Sequence, residues 1–297
     1  MHRWLQSPLA LFSRRLFDGD RSACTALRLF RVVFFLGLAV HFAPFVIHYR
    51  RYLGSAVERG QCNVATPIPD LVGSAVVLAL GYLGVGLGLM GLRTRWAALA
   101  ALLAFQTLMG RNCYPVQTLA LSEAWIVLLL FTLGGAGSGR PVGGEQRRPH
   151  HHVKCGCGWT ATVVLYATLI GVFFAGVEKI SSGWGKGQNM TNLLGFPPGH
   201  AVRAWLPAVT AGHRSAIGLL SEWATVGFEI GAPVLVAVSA RTRAVQGVWI
   251  AFFLGIAACF EVPPLFVTTF GAAILLAPPL SSPVPAAATN QAATAPG

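Results

Sequence analysis

Apolar residues in this chain come in long unbroken runs, with neither the strict alternation of strands nor the one-sided stripes of soluble helices. The runs cover roughly 25–48, 70–91, 95–112, 115–135, 158–179, 215–239, 245–260 and 265–280. A helix needs about 20 mostly apolar residues to cross the hydrocarbon core. In lipid, moreover, each spanning segment must satisfy its own backbone hydrogen bonds. The pattern therefore predicts an all-α polytopic membrane helical bundle of about eight spans. The last two runs are short and are split by Pro263-Pro264, so a re-entrant pair would also fit them. Residues 1–20 differ. There Trp4, Leu5, Leu9, Phe12 and Phe17 are interleaved with Arg3, Arg14 and Arg15, a mixture that predicts an interfacial N-terminal helix. The segment 180–214 carries Trp184, Phe196, Pro197, Pro198 and Trp205, and reads as an ordered cap at the membrane surface. The stretch from Ser281 is rich in Pro, Ala and Thr and uncharged, which predicts a disordered C-terminal tail at 281–297. There is no internal repeat, so residues 1–280 form one transmembrane domain.

Composition sharpens the class. The chain is 54% hydrophobic and 11% charged, against about 25% charged residues in soluble domains. Such a chain cannot clothe a water-soluble globule, and it is too hydrophobic for disorder. The net charge of +12 would raise nucleic-acid binding in a soluble protein. Here the basic residues sit between apolar runs, so topology accounts for them and no nucleic-acid partner is expected. With the N-terminus inside, 14 of the 22 Lys and Arg fall on the cytoplasmic side, including the short loops 92–95, 136–157 and 240–244. Both termini are then cytoplasmic, in a cell or inner membrane. No A-x-A-like cleavage site follows the first run. Six cysteines are too few for a disulfide framework. Cys62, Cys113 and Cys259 map to the outer side, where a Cys62–Cys113 bridge is permitted. His150-His151-His152 with Cys155-x-Cys157 matches no standard zinc spacing, so no dedicated metal site is expected.

Candidate chemistry concentrates where the fifth run ends, at Phe173-Phe174-Ala175-Gly176-Val177-Glu178-Lys179-Ile180, followed by Gly183-Trp184 and Gly187. Ionisable groups at membrane depth are costly and point to function by default. A lysine drawn out of water gives up its proton more easily, and the free amine is a usable base. The plain alternative is an interfacial anchor whose ammonium snorkels to water. Four other acids lie within apolar runs: Glu123, Glu222, Glu229 and Glu261. Glu222 and Glu229 are seven apart and share a helix face; either they pair inside the bundle or they line a polar cavity, with Glu229 the deeper of the two. His41 and His48 are also seven apart, on the outer half of the first run. They either cap polar groups between helices or face the Lys179 cavity. Gly81, Gly84, Gly86 and Gly88 form a small-residue face that predicts close helix packing.

The stretch 171–190, GVFFAGVEKISSGWGKGQNM, resembles the AG-x-x-K … W-x-x-G segment of vitamin K-dependent gamma-carboxylases and the wider HTTM membrane family. Ala26-Leu27-Arg28-Leu29-Phe30-Arg31 at the opening of the first run, which looks like the family's R-x-x-F, Arg51-Tyr52-Leu53 after that run, Arg111-Asn112 between the third and fourth, and Glu222 to Arg243 agree with it in order. The resemblance covers about 25–280. It implies that Lys179 is a base that deprotonates a reduced vitamin K-like quinone. With oxygen, that quinol becomes a strong base, removes a γ proton from a glutamate, and carbon dioxide adds. Glu178, Trp184, Arg111 and Asn112 would position the base and the substrates, and His41, His48 and Glu229 would face the quinone. Three departures stand beside this. Cys113 occupies the position of a catalytic-site histidine, Phe252 or Phe253 that of a histidine common in the seventh span, and the large lumenal substrate-binding domain has no counterpart.

The expectation is a membrane enzyme that uses a lipid-soluble quinol to modify a secreted peptide or protein on the outer side, with a separate partner protein supplying substrate recognition. Two rivals remain. One is a non-catalytic membrane component for maturation or export of a secreted peptide. The other is a proton-coupled transporter, which would more often carry inverted repeats.

Overall fold

The computed structural model describes residues 21–47, 71–111, 118–134, 157–186, 214–238, 243–259 and 264–277. Seven helices follow one another: α1 (Arg21–Ile47), α2 (Leu71–Met90), α3 (Thr94–Arg111), α4 (Thr118–Gly134), α5 (Cys157–Ser181), α6 (Arg214–Val238) and α7 (Arg243–Cys259). A short α8 (Pro264–Phe266), a π-helical turn (Val267–Gly271) and a 3₁₀ turn (Ile274–Leu276) close the described chain. No strand occurs among the described residues. The first seven apolar runs thus become helices, with ends within a few residues of those expected. Residues 1–20 and the tail from Ser281 lie outside the described residues.

Among the described residues, three helices are long and apolar enough to cross a membrane: Ala23–Ile47, Gly158–Ser181 and Ala216–Val236. Their surfaces suit lipid. Leu36, Val40, Ile170, Phe174, Leu220 and Leu235 are all at least half exposed, a load of outward apolar area that a soluble monomer does not carry. The described part of the last run is short and mixes α, π and 3₁₀ turns. Its helical turns cover Pro264 to Leu276, only ~20 Å at the α-helical rise, against the ~30 Å core. They are buried against α1 and α7 instead. Trp249 Nε1 donates to the Phe270 carbonyl at 2.8 Å, which a π turn leaves accessible to a side-chain donor.

Neighbouring helices run antiparallel. A Cβ on Gly81 would meet Phe42, one on Gly88 would meet Phe35, and one on Gly91 would meet Arg31, so α2 descends as α1 climbs. Gly81 faces Ala104, and Gly84 lies against the backbone of Ala97 and Ala101, which sets α3 against α2 the same way. Gly81 and Gly84 therefore let α3 pack closely on α2, as expected, while Gly88 makes room for the Phe35 ring of α1. Gly86 meets nothing within 4 Å. Phe30 near the start of α1 packs edge-on to Phe131 near the end of α4 at 6.1 Å. Gly134 at the end of α4 meets Thr160 at the start of α5. The core between these helices is aromatic: Phe30, Phe34, Phe35 and Phe131 on one side, and Phe228, Trp249, Phe253 and Phe270 on the other. Following the alternation, the α2–α3 turn and the C-terminal end of α5 lie at opposite ends of the bundle.

Candidate functional site

Lys179 sits in the last turn of α5. The helix stops there for a local reason. Gly183 takes φ +84, and Trp184 N–H bonds the Lys179 carbonyl at 3.0 Å, the Schellman closure in which a left-handed glycine ends a helix. The motif folds the residue after the glycine back over the last helical turn. Here that residue is Trp184, whose ring centre lies 5.1 Å from Lys179 Nζ, within cation–π range. Gly185 follows at φ +98 and presents its N–H to Glu222 Oε2 at 2.6 Å. A Cβ there would lie 2.9 Å from Trp223, so both the backbone angle and the space require glycine.

α6 supplies the other half. It runs antiparallel to α5, and Gly176 makes the approach close: a Cβ on it would lie 2.9 Å from the Cβ of Glu229. One turn later Lys179 Nζ reaches both carboxylate oxygens of Glu229 at 2.5 Å. The side chains are 21% and 11% exposed, so the pair is largely withdrawn from solvent but reachable from one side. Glu222, two turns earlier on α6, is fully buried and holds the α5 terminal turn through Gly185. The two glutamates on one face of α6 therefore divide the work, one gripping the ammonium and the other the backbone beyond it.

The expected residues distribute unevenly. Lys179, Trp184 and Glu229 come together. Glu178 is exposed, and the ammonium is held by a residue 50 positions away instead of by its sequence neighbour. His41 packs between Phe45 and Phe105, with ring centres 6.4 and 5.9 Å away, on the α3 side of α1; its Nε2 is buried with no hydrogen-bond partner among the described residues. Arg111 is the last residue of α3, and its side chain lies outside the described residues. So do His48, Asn112, Cys113, Cys62, Glu261, Cys155, the 150–152 histidines and the cap beyond Lys186. Phe253, one of the two positions matched to the family's histidine, is buried among Phe228, Trp249 and Phe270.

One pairing was not anticipated. Glu123, 3% exposed on α4, accepts from Thr168 Oγ1 of α5 at 2.6 Å. Nothing in local sequence links residues 45 apart; only the α4–α5 packing does. No family model, no curated protein and no solved structure matches the chain.

Proposed function

We propose that the chain is an integral membrane enzyme of about eight spans, of the HTTM, carboxylase-like class. In this reading both termini are cytoplasmic, the Lys179 end faces outward, and a reduced lipid-soluble quinone serves to modify a secreted peptide or protein. The observation that carries the reading is the Lys179–Glu229 pair, 2.5 Å apart, with Trp184 against the ammonium. The donor set fits a quinol: an amine and a carboxylate for a ring hydroxyl, and an indole for a flat apolar ring. Lys179, Glu229 and Trp184 are the residues that would hold it. With oxygen, the bound quinol would supply the strong base that the proposed peptide modification needs.

The pair defines what the protein itself does. In the ion pair the ammonium holds the proton and Glu229 is the open acceptor. Lys179 takes a proton from a ring hydroxyl as it hands its own to Glu229, so the pair accepts one proton and ends with a neutral carboxyl beside a restored ammonium. Lys179 and Glu229 lie within hydrogen-bond reach of each other, so a proton taken up by the amine can pass to the carboxylate. Trp184 keeps the amine over an apolar ring instead of open to water.

The test is purified protein in lipid, supplied with reduced naphthoquinone, oxygen, bicarbonate and glutamate-containing peptides, with quinone epoxide as the readout. Wild type forms epoxide; Lys179→Ala and Glu229→Gln do not. Absence of epoxide from the wild type, or epoxide undiminished in folded Lys179→Ala, overturns the reading.

A second reading has its own support, since an ammonium already gripped by a carboxylate and an indole is also a fastener between α5 and α6. It makes the chain a non-catalytic component for maturation or export of a secreted peptide. A small protein that co-purifies equally with wild type and Lys179→Ala would select it.

A further inference from the structure

A groove of about 400 Å³ lies on the α2–α3 hairpin, and none of the residues around Lys179 lines it. Leu80 of α2 and Trp96, Leu99 and Leu103 of α3 form its walls. Leu80, Trp96 and Leu103 are 49%, 69% and 61% exposed. Thr107, at the far end, spends its hydroxyl on the Leu103 carbonyl at 2.8 Å, so the lining offers an apolar guest no unmet polar group. From Trp96 to Thr107 the groove follows α3 for ~16 Å at the helical rise, about half the ~30 Å hydrocarbon core. That is the reach of one acyl chain in one leaflet.

The groove begins at the α2–α3 turn, and that turn is basic. Arg93 and Arg95 are both exposed. Arg95 stands four residues before Leu99 and so lies over the groove on α3, while Arg93 ends the α2–α3 turn just before the helix, at φ +42. Arg31 of α1 reaches the same turn, where a Cβ on Gly91 would lie 2.8 Å from its Nη2. No Asp or Glu occurs anywhere in 21–47 or 71–111, so no carboxylate on these helices faces Arg93 or Arg95. A tryptophan at the junction between a charged turn and an apolar wall is the arrangement expected at the headgroup level.

We propose that this groove binds an anionic phospholipid, with its phosphate against Arg93 and Arg95 and one acyl chain lying along Leu99 and Leu103. Charge chooses the occupant: the choline of a zwitterionic lipid would be repelled by the two exposed guanidinium groups, whereas an anionic lipid with an uncharged headgroup leaves its phosphate free to pair with them. Basic pockets between membrane helices on the cytoplasmic side are where such headgroups bind. The inference rests on the reading of the bundle as a membrane protein with the 91–95 turn inside.

The experiment uses the full chain in vesicles containing spin-labelled phosphatidylglycerol or phosphatidylcholine, labelled near the chain terminus, and measures the motionally restricted fraction by electron spin resonance. Wild type selects phosphatidylglycerol several-fold. Arg93→Gln with Arg95→Gln brings that selectivity down to near one, each arginine being worth up to roughly fivefold. Leu103→Trp, which fills the groove, removes one restricted site for both lipids. Inorganic phosphate at millimolar concentration does not compete. Equal selectivity in wild type and the double variant, an unchanged site number in Leu103→Trp, or displacement by inorganic phosphate each overturns the proposal. A nitroxide on Leu103→Cys separates the two possible failures. Water-accessible label defeats the membrane placement of the hairpin itself, whereas lipid-accessible label with no headgroup selectivity defeats only the lipid site.

Discussion

Replacing Glu229 with Gln keeps the side chain's shape and removes its charge, leaving the Lys179 ammonium in a site where its side chain is only 21% exposed. At 2.5 Å the gross attraction of the pair is ~7 kcal/mol with an effective dielectric constant near 20. Withdrawing each ion from water costs several kcal/mol, so the net contribution of the intact pair is small. Removing one partner is different, because the desolvation of the survivor remains while the attraction is gone. The expected loss is about 3 kcal/mol for Glu229→Gln and similar for Lys179→Met, the low end of the range for buried pairs because Lys179 lies at a helix end. Lys179→Met combined with Glu229→Leu leaves no orphaned charge and is expected within about 1 kcal/mol of wild type. The double variant is therefore more stable than either single one. The assay is reversible unfolding of the full chain in mixed micelles by sodium dodecyl sulfate titration, followed by far-ultraviolet circular dichroism. Single losses below about 0.5 kcal/mol, or losses that simply add, refute the reasoning. The pair would then behave as a solvated surface ion pair, and the site would not be dry enough for the proposed chemistry. The double variant also serves function: it should be folded yet inactive, which isolates chemistry from stability.

Three further expectations follow from contacts in the same bundle. Gly176→Ala places a Cβ 2.8 Å from Ile230 and 2.9 Å from Glu229, so it should cost about 1–3 kcal/mol in the same titration and weaken any activity by parting Lys179 from Glu229. Gly183→Ala meets nothing closer than 3.9 Å, so its cost is the left-handed backbone alone, about 1–2 kcal/mol, and Gly183→Asn should recover most of it. Trp249→Phe strands the Phe270 carbonyl, which accepts a 2.8 Å bond, and should lower stability by about 1–3 kcal/mol while leaving the helix content unchanged.

How much of this was legible follows from what each kind of order depends on. Helix positions were legible because a segment in lipid must satisfy its own backbone, so the apolar run and the helix coincide. The π turn within the run at 265–280 was not legible because its order is tertiary: Trp249 reaches into the Phe270 turn, and no local pattern announces it. The Glu222 and Glu229 spacing put both on one face of α6, and both do meet the end of α5. Their individual partners were not legible. Glu178 is next to Lys179 in sequence yet about 100° away around the helix, and it is exposed. Glu229 is 50 residues distant and in contact. Adjacency in a helix separates side chains, and only antiparallel packing could bring the true partner in.

The same distinction decides which residues can test the function. Gly176 and Trp184 help give the 171–190 segment its resemblance, and both have a complete structural explanation: the first lets α6 approach α5 and the second closes over the last turn of α5. Altering either would disturb that turn and lower activity under any reading. Glu229 is different. It belongs to another helix, no rule of helix termination requires a carboxylate there, and its apolar replacement is tolerable once Lys179 is replaced with it. A fastener needs only that the two positions match, in charge or in the lack of it. A proton relay needs the amine and the carboxylate themselves. Activity lost in the stable double variant, and a function retained in it, are therefore the outcomes that separate the two readings of this site.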